Sequence, residues 1–370
     1  MTKLILKGSP FDNISIQELA NQIAVKKKSE KKLPSWFQTE NIYYPPKLNL
    51  EQTSSEATAR YKANLINGKK LIDLTGGFGV DSFAFSKKFD EVTHCELNPE
   101  LSEIATYNFK QLKATNVKNI QGNGIDYLTN STEDFNCIYI DPSRRSDVKG
   151  KVFLLQDCEP DVPKNLEALL SKAQTILVKV SPILDISSAL EELSYVKEVH
   201  VVALNNEVKE LLFLIERSYQ GAVHIKTVNL LKTEDQNFSF TLGTDVQSVY
   251  AQPETYLYEP NAAIMKSGGF HHITTQFAVS KLHQHSHLYT SNEPIGFPGR
   301  SFLIKEILSY DKKKIKRLLT TSKANITTRN FPKSVEQIRK ELKIKDGGSD
   351  YLFFTTNMDE KLICIHCFKK

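Results

Sequence analysis

The stretch LIDLTGGFGVD, from Leu71 to Asp81, joins an apolar run to three glycines that fall within four residues. The segment KLIDLT (70–75) has the composition of a β-strand, and DSFAFSKKF (81–89) that of a helix. The glycines therefore form the turn between a strand and a helix, where a backbone without side chains can approach a ligand. This arrangement predicts a nucleotide-binding α/β domain.

The residues around the glycines indicate which nucleotide fits. A phosphate-binding loop ends in Gly-Lys-Ser/Thr, but Val80 and Asp81 follow Gly79. A dinucleotide fingerprint needs a third glycine, which is missing here. S-adenosylmethionine has no pyrophosphate; it has an amino group and a cationic sulfonium, and Asp73 before the loop suits these groups. The sequence therefore favours S-adenosylmethionine.

Polar residues follow the next strands at the intervals that this cofactor requires. Glu96 closes the strand-like run VTHCE, where a carboxylate would accept hydrogen bonds from ribose hydroxyls. GNGID (122–126) follows the third strand, and FNCIYIDPSRR (135–145) contains the fourth. The ends of parallel strands face one ligand crevice. The predicted cofactor contacts are Asp73, Thr75, Gly76, Gly77, Gly79, Glu96, Asn123, Asp126 and Asp141.

Four motifs over residues 70–217, namely DLTGGFG, CELNP, GNGID and IDPSRR, resemble those of class I S-adenosylmethionine-dependent methyltransferases. YEPNAAIMKSGG (258–269), ANITTRNFP and GGSDYLFFTT resemble a bacterial group of these enzymes with a ferredoxin-like insert and a C-terminal THUMP-like domain. The resemblance implies a doubly wound, Rossmann-like, seven-stranded sheet. THUMP-type domains are associated with RNA, mainly tRNA, so the resemblance also implies an RNA partner. Thr75 departs from the family pattern, which more often has glycine there.

The pattern of elements predicts an α/β fold in four parts. Residues 1–68 are an N-terminal helical region, with helices expected over 15–25 and 51–66, the second capped by Thr53 or Ser54. Alternating strands and helices over 69–220 form the methyltransferase domain. Residues 221–292 form a small ferredoxin-like or β-rich domain. Residues 293–370 form a basic α+β domain of THUMP-like type, with the order β-α-β-α-β-β.

Positive charge is concentrated near the C-terminus. The net charge is +5, and residues 312–345 hold twelve Lys or Arg against two Glu. That segment is therefore +10, and the rest of the chain is −5 by difference. Such a block is typical of a surface for nucleic acid, here structured tRNA or rRNA, although a solvated pair of basic helices is the alternative. The predicted RNA contacts in this block are Lys312, Lys313, Lys316, Arg317 and Arg329.

Two methyl acceptors fit the sequence. Amino methyltransferases have an Asn/Asp-Pro-Pro-aromatic motif after the fourth strand, and Asp141-Pro142 matches its first half. The second half is replaced by Ser143 and Arg144. Arg144 and Arg145 are instead predicted to hold RNA phosphates, because a guanidinium binds phosphate through two hydrogen bonds.

The other acceptor is a hydroxyl. Lys179 ends the strand-like run TILVKV and, with Asp141, resembles part of the Lys-Asp-Lys-Glu set of ribose 2′-O-methyltransferases. Lys62 or Lys69 would be the first lysine, and Glu207 or Glu210 the glutamate. Burial would lower the pKa of Lys179 and fit it to serve a hydroxyl, whereas a purely structural pair with Asp141 is the alternative. The predicted catalytic residues are Asp141, Pro142 and Lys179, and the acceptor atom stays open.

No metal site is predicted. Cys364 and Cys367 stand without a second ligand pair, and the histidines between 271 and 287 are irregularly spaced. Cys158 lacks the flanking pattern of a cysteine nucleophile. Asp157 and Glu159 lie where substrate loops are usual, or in a structural loop.

The chain lacks an apolar run of about 18 residues, and its start does not resemble a signal peptide. Together with five scattered cysteines, this predicts a cytoplasmic protein that spans no membrane. The sequence thus predicts an RNA methyltransferase. The alternatives are a methyltransferase of protein or small molecules, and an RNA-binding protein with a vestigial cofactor fold.

Overall fold

The computed structural model of the chain describes residues 9–144, 154–319 and 322–370. These residues form two compact units. The first unit consists of the residues up to 204 together with 209–223, and the second of 205–208 together with 224–370. The N-terminal helical region therefore belongs to the same compact body as the strands that follow it.

Four helices open the described part of the first unit, and two of them are capped by serine. Their bounds are α1 (Ile16–Lys32), α2 (Pro34–Gln38), α3 (Lys47–Gln52) and α4 (Glu56–Leu65). The helix predicted over 51–66 is present as α4, but it begins later than predicted, because the chain leaves the helical conformation between α3 and α4. The cap of α4 is Ser55, whose hydroxyl accepts a hydrogen bond from the Thr58 amide. The hydroxyl of Ser54 instead donates to Asp81.

The strands of the first unit alternate with helices. In chain order they are β1 (Lys70–Asp73), β2 (Glu91–Glu96), β3 (Val117–Gln121), β4 (Phe135–Ile140), β5 (Ser143–Arg144), β6 (Cys158–Glu159), β7 (Ala173–Val180), β8 (Val196–Leu204) and β9 (Glu207–Glu216). The helices between them are α5 (Val80–Phe85), α6 (Pro99–Gln111), α7 (Gly124–Asn130), α8 (Val162–Lys172) and α9 (Ile186–Glu192). Among the described strands, short β5 and β6 pair only with each other.

Seven of these strands form one sheet in the order β3-β2-β1-β4-β7-β9-β8. The pairs β1–β2, β1–β4, β2–β3 and β4–β7 are parallel, and β9 lies antiparallel to β7. The predicted doubly wound, Rossmann-like fold class is confirmed. The order changes direction at β1 and β4, so the crevice of such a sheet opens at their C-terminal ends. Asp73 and Asp141 lie at these two ends.

The second unit begins with an antiparallel hairpin, β10 (His224–Leu230) and β11 (Gln236–Thr241). Its remaining elements are β12 (Tyr256–Pro260), α10 (Ala262–Ser267), α11 (His272–Gln276), β13 (Ser280–Lys281), β14 (Tyr289–Ser291), β15 (Gly299–Ser309), α12 (Lys312–Leu318), β16 (Asn325–Arg329), α13 (Val335–Leu342), β17 (Asp350–Thr356) and β18 (Leu362–Lys369). From β15 onward the order is the predicted β-α-β-α-β-β.

One seven-stranded sheet runs through this unit in the order β13-β14-β12-β15-β18-β17-β16. The central pair joins β12 to β15, with Tyr256 opposite Leu303 and Pro260 opposite Gly299. A side chain at Gly299 would come within 2.1 Å of the Glu259 carbonyl oxygen, so the strands can approach this closely only at glycine. The boundary predicted at residue 292 therefore falls between strands of a single sheet.

None of the described helices is both long enough and apolar enough to cross a membrane. The histidines and acidic residues of the described ranges also form no group of three or more metal-ligand side chains.

Candidate active site

The glycine loop between β1 and α5 is tightly enclosed. The amide of Gly76 donates to the Cys95 carbonyl at 2.8 Å, and a side chain at Gly76 would lie 2.1 Å from the His94 ring. Gly77 and Gly79 have φ angles of 58° and 90°, which residues with side chains rarely adopt. The loop therefore needs glycine at these three positions, and its open side is left for a ligand.

Thr75 fixes the start of this loop. Its amide donates to Asp73 Oδ1 at 3.1 Å, and its hydroxyl oxygen accepts from the Asp141 amide at 2.7 Å. A glycine at this position would lack the second contact. Thr75, the residue that departs from the family pattern, thus links the end of β1 to the end of β4.

Asp73 belongs to a buried polar chain beneath the loop. Its Oδ2 accepts from the Ser82 hydroxyl at 2.6 Å, and the Ser82 oxygen lies 2.9 Å from His94 Nδ1. Burial raises the pKa of Asp73 to about 7, although the hydrogen bonds from Ser82 and Thr75 lower it. Burial also lowers the pKa of His94 to about 3. Near pH 7 the Asp73 carboxyl is therefore close to its midpoint, and the imidazole is neutral.

The other predicted cofactor contacts lie at the ends of β2 and β3. Glu96 accepts hydrogen bonds from the amides of Gly77 and Asn98, each at 2.7 Å, so its carboxylate is held against the glycine loop. Asn123 caps α7 through its side-chain oxygen, and Asp126 is exposed on the first turn of that helix. Leu97, which the sequence did not single out, is 70% exposed beside Glu96.

A cavity opens beside the loop. Its walls include the predicted residues Asp73, Thr75, Gly76, Gly77 and Asp141. Other wall residues were missed in the sequence, namely Asn49, Gln52, Thr53, Ser54, Asp81 and Tyr139. The first four come from the end of α3 and the connection to α4, so the N-terminal helical region forms part of the cavity. The signal for Asp81 was present, since it ends the stretch LIDLTGGFGVD.

Five charged side chains meet at this edge of the sheet: Lys62, Asp81, Asp141, Lys179 and Glu210, which we call the buried charge cluster. Lys62 is fully buried, with its ammonium 2.9 Å from both Glu210 oxygens and 3.1 Å from Asp81 Oδ1. Lys179 forms an ion pair with Asp141. The tertiary fold thus brings together residues from α4, α5, β7, β9 and the end of β4.

The direction of the Lys179 pKa shift differs from the one predicted from the sequence. Burial alone would lower its pKa, but Asp141, Glu210 and Asp81 together raise that pKa above its ordinary value. The proposed lowering of the Lys179 pKa is therefore wrong, and the side chain is an ammonium ion. Burial raises the pKa of Glu210, and the two lysines oppose this rise. For Asp81, Lys62 and Lys179 outweigh burial and lower the pKa.

The structure distinguishes between the alternative residues that the sequence offered for the first lysine and for the glutamate of the Lys-Asp-Lys-Glu set. Lys62 lies in the cluster, whereas Lys69 is exposed. Glu210 is buried on β9, whereas Glu207 is exposed at the start of that strand. After Asp141, the buried Pro142 leads into exposed Ser143 and Arg144 in β5. Arg145 lies outside the described residues.

The basic segment is partly engaged in ion pairs. Lys312 lies 3.1 Å from Glu341, and Arg329 lies 2.8 Å from the buried Glu259. Lys313, Lys316 and Arg317 are exposed on α12 and have no ion pair with any residue in the described part of the chain. These three side chains are therefore exposed to solvent with their charges not engaged by a described carboxylate.

The cysteines are buried in apolar surroundings. Cys364 and Cys367 are three residues apart on β18, so they face opposite sides of the sheet and pack into different apolar clusters. They cannot share one ion without a rearrangement of the strand. Cys158 is fully buried on β6, and Asp157 and Glu159 lie beside it, away from the cavity wall.

Comparison with known proteins agrees with this architecture. Residues 256–298 match a family described as a ferredoxin-like domain, and residues 299–369 match one described as THUMP domain-like. These matches confirm the predicted resemblance to ferredoxin-like and THUMP-like domains, and they place the change from one to the other after residue 298. No curated protein sequence matches the chain.

Solved structures give further matches. A candidate methyltransferase from Porphyromonas gingivalis W83 has a TM-score of 0.89 and 33% identity, over 100% of this chain and 94% of that chain. An rRNA methylase from Streptococcus thermophilus has a TM-score of 0.32 and 12% identity, over 44% of this chain and 96% of its own. A candidate RNA methyltransferase from Pyrococcus horikoshii has a TM-score of 0.29 and 18% identity, over 41% and 74% of the two chains. The last two TM-scores are low, so the family assignment is based on the first of these three structures.

Proposed function

We propose that this chain, which belongs to the family of the Porphyromonas gingivalis protein, methylates RNA on a hydroxyl oxygen, the ribose 2′-hydroxyl. The fold and the family match support S-adenosylmethionine as the cofactor. Asp73, the glycine loop, Glu96 and Asn123 would hold this cofactor, with Leu97 against its purine. The fit is supported by the enclosed glycine backbone beside the cavity, and by the carboxylate of Glu96, which the amides of Gly77 and Asn98 hold against that loop.

The observation that carries the hydroxyl assignment is the Lys179–Asp141 ion pair at the cavity, with Lys62 and Glu210 paired behind it. A hydroxyl is a weak nucleophile that must lose its proton during the transfer, whereas an amine already has a free electron pair. An ammonium beside the acceptor oxygen stabilises the negative charge that develops there. A neighbouring carboxylate can accept the proton. The pair supplies both groups.

The residues then have distinct roles. With an acceptor hydroxyl beside the pair, Asp141 would accept the proton that the oxygen loses and would pass it to solvent. Lys179 stays protonated and offsets the charge on the oxygen. The cofactor supplies an electrophilic methyl group. Lys62 and Glu210 touch neither reacting atom in this scheme, so they act as positioning residues.

An amino nitrogen is the second candidate acceptor, and Asp141-Pro142 favours it. The remaining half of the amino motif is absent, since Ser143 and Arg144 are exposed where a proline and a stacking aromatic ring would be needed. No aromatic side chain follows Pro142 before residue 153 in the sequence. The hydroxyl is therefore the better supported acceptor.

The RNA assignment is supported by the THUMP-like match and by exposed cations on α12 within it. Phosphate contacts from lysine and arginine give most of the sequence-independent affinity for nucleic acid. Structured tRNA or rRNA is the proposed substrate, and it would be met in the cytoplasm. Arg144, which is exposed in β5, is a further proposed phosphate contact.

Mass spectrometry of nucleosides tests this proposal. RNA from cells that lack the gene should miss one 2′-O-methylated nucleoside, and the intact gene should restore it. Genes with Lys179→Met or Asp141→Asn should not restore it, whereas Lys69→Met, a change at an exposed lysine, should. Loss of a base-methylated nucleoside would assign the amino acceptor instead. An unchanged set of nucleosides would refute RNA methylation and favour a protein or small-molecule acceptor, or a vestigial fold.

A further inference from the structure

The charges in the buried charge cluster do not balance. Lys62 shares its ammonium between Asp81 and Glu210, and Lys179 pairs with Asp141. Two ammonium groups thus face three carboxylates, before Asp73 is counted. Asp73 itself bonds to the Ser82 hydroxyl and the Thr75 amide, and forms no ion pair with a described basic residue. The cluster has a surplus of one negative charge.

This surplus lies at the cavity wall. Asp73, Asp81 and Asp141 line the cavity, and none of its described wall residues is Lys or Arg. Asp81 Oδ2 accepts from Ser54 at 2.8 Å and from Tyr139 at 2.9 Å. The Oδ1 atom of Asp81 is buried and lies near the Lys62 ammonium, but it accepts no hydrogen bond from a described residue. All the charged residues in the described wall are therefore carboxylates, which favours a cation in the cavity.

We infer that Asp81 lets this site distinguish the cationic sulfonium of S-adenosylmethionine from the neutral thioether of S-adenosylhomocysteine. The two ligands have the same adenosine, amino and carboxylate groups, and they differ in one methyl group and one charge. A surplus carboxylate in a cavity of low dielectric attracts that charge. The thioether that remains after transfer loses this attraction, which favours its release. The inference rests on the cofactor part of the proposed function and is independent of the acceptor.

Isothermal titration calorimetry with both ligands tests the inference. For Asp81→Asn we expect the Kd for S-adenosylmethionine to rise about tenfold, as the loss of one nearby charge would give. The Kd for S-adenosylhomocysteine should stay nearly constant, so the ratio of the two constants changes. A general folding defect would weaken both ligands together. Asp90→Asn, which removes an exposed carboxylate elsewhere on the first unit, is the control and should leave the ratio unchanged.

Glu210→Gln is the second variant, because it removes a different negative charge from the same cluster. It tests the inference even if the Asp81→Asn protein does not fold. It should change the ratio in the same direction. If wild type binds both ligands and neither variant alters their ratio, the inference is refuted while the proposed function stands. If wild type binds neither ligand, the cofactor assignment fails, and the proposed function and the inference fail with it.

Discussion

The hydroxyl oxygen of Thr75 accepts a hydrogen bond from the backbone amide of Asp141, with 2.7 Å between the two atoms. This contact joins the second residue after β1 to the residue that follows β4. The side chain of Asp141 pairs with Lys179. The position of the proposed catalytic carboxylate therefore depends on a threonine that stands where related motifs more often have glycine.

Thr75→Val should impair catalysis more than cofactor binding. Valine has the same shape but cannot accept the Asp141 hydrogen bond, and an unsatisfied buried amide costs about 1–3 kcal/mol. A small displacement of Asp141 should lower kcat by about tenfold to a hundredfold. Thr75→Ser keeps the acceptor and should retain most activity. Steady-state kinetics and the Kd for the cofactor check this, and a Thr75→Val protein with wild-type kcat would contradict it.

Lys62→Met should destabilise the first unit. The substitution leaves Asp81 and Glu210 buried without their shared ammonium, and breaking a buried pair in this way costs about 3–5 kcal/mol. Urea unfolding measures the loss. Lys69→Met is the matched control at an exposed lysine and should leave the unfolding midpoint unchanged. Equal midpoints for the two variants would show that the cluster contributes nothing to stability.

Asp73 and His94 should have opposite effects on stability as the pH changes. The folded pKa of Asp73 is raised from 3.8 to about 7, and that of His94 is lowered from 6.5 to about 3. Between the unfolded pKa values of 3.8 and 6.5, the folded protein holds one proton on Asp73 and none on His94. The unfolded chain in this range holds one proton on His94 and none on Asp73. The two contributions therefore nearly cancel in the wild type from about pH 4 to 6.5.

Single variants should reveal each contribution. In Asp73→Asn, the unfolded chain still binds a proton at His94 that the folded protein does not, so the free energy of unfolding should rise with pH up to about 6.5. In His94→Asn, only folded Asp73 binds the extra proton, so that free energy should fall as pH rises towards about 7. The limiting slopes are about 1.4 kcal/mol per pH unit. Urea unfolding across this range checks the signs, and slopes of the same sign would refute this account.

Removal of cations from α12 should weaken RNA binding in a salt-dependent way. If Lys316 and Arg317 each contact a phosphate, Lys316→Gln with Arg317→Gln should reduce the slope of log K against log salt by about two. Arg329→Gln should chiefly lower stability, because Arg329 pairs with Glu259, a carboxylate that is only 3% exposed. Filter binding at several salt concentrations measures the slopes. An unchanged slope for the double variant would exclude α12 as the RNA surface.

A chelator should leave the second unit intact. Cys364 and Cys367 face opposite sides of β18, so they do not form a zinc pair. Incubation with EDTA should therefore not shift the thermal unfolding midpoint. A lowered midpoint that zinc restores would show that the chain holds a structural ion.

The sequence could predict the residues at the ends of β1, β2, β3 and β4, because parallel strands bring their C-terminal ends to one edge of a sheet. It named Lys62 and Glu210 as alternatives for one catalytic set, but it could not choose them over Lys69 and Glu207, because the two residues lie 148 positions apart. It also could not give the sign of the Lys179 pKa shift. That sign depends on three carboxylates that only the tertiary fold assembles. Ser54 looked like a helix cap for the same reason, since its partner Asp81 is distant in the chain.

The pairing of β12 with β15 has a practical consequence. The two family matches meet at residues 298 and 299, immediately before β15, although β12 lies in one match and β15 in the other. A fragment that begins at Gly299 would therefore expose an edge of up to eleven residues with unpaired amides and carbonyls. Such an edge recruits other strands. The two matched regions should consequently be kept together in any expressed fragment or domain exchange, and they are expected to be inherited together. Either region alone would leave one strand of the shared sheet without its partner.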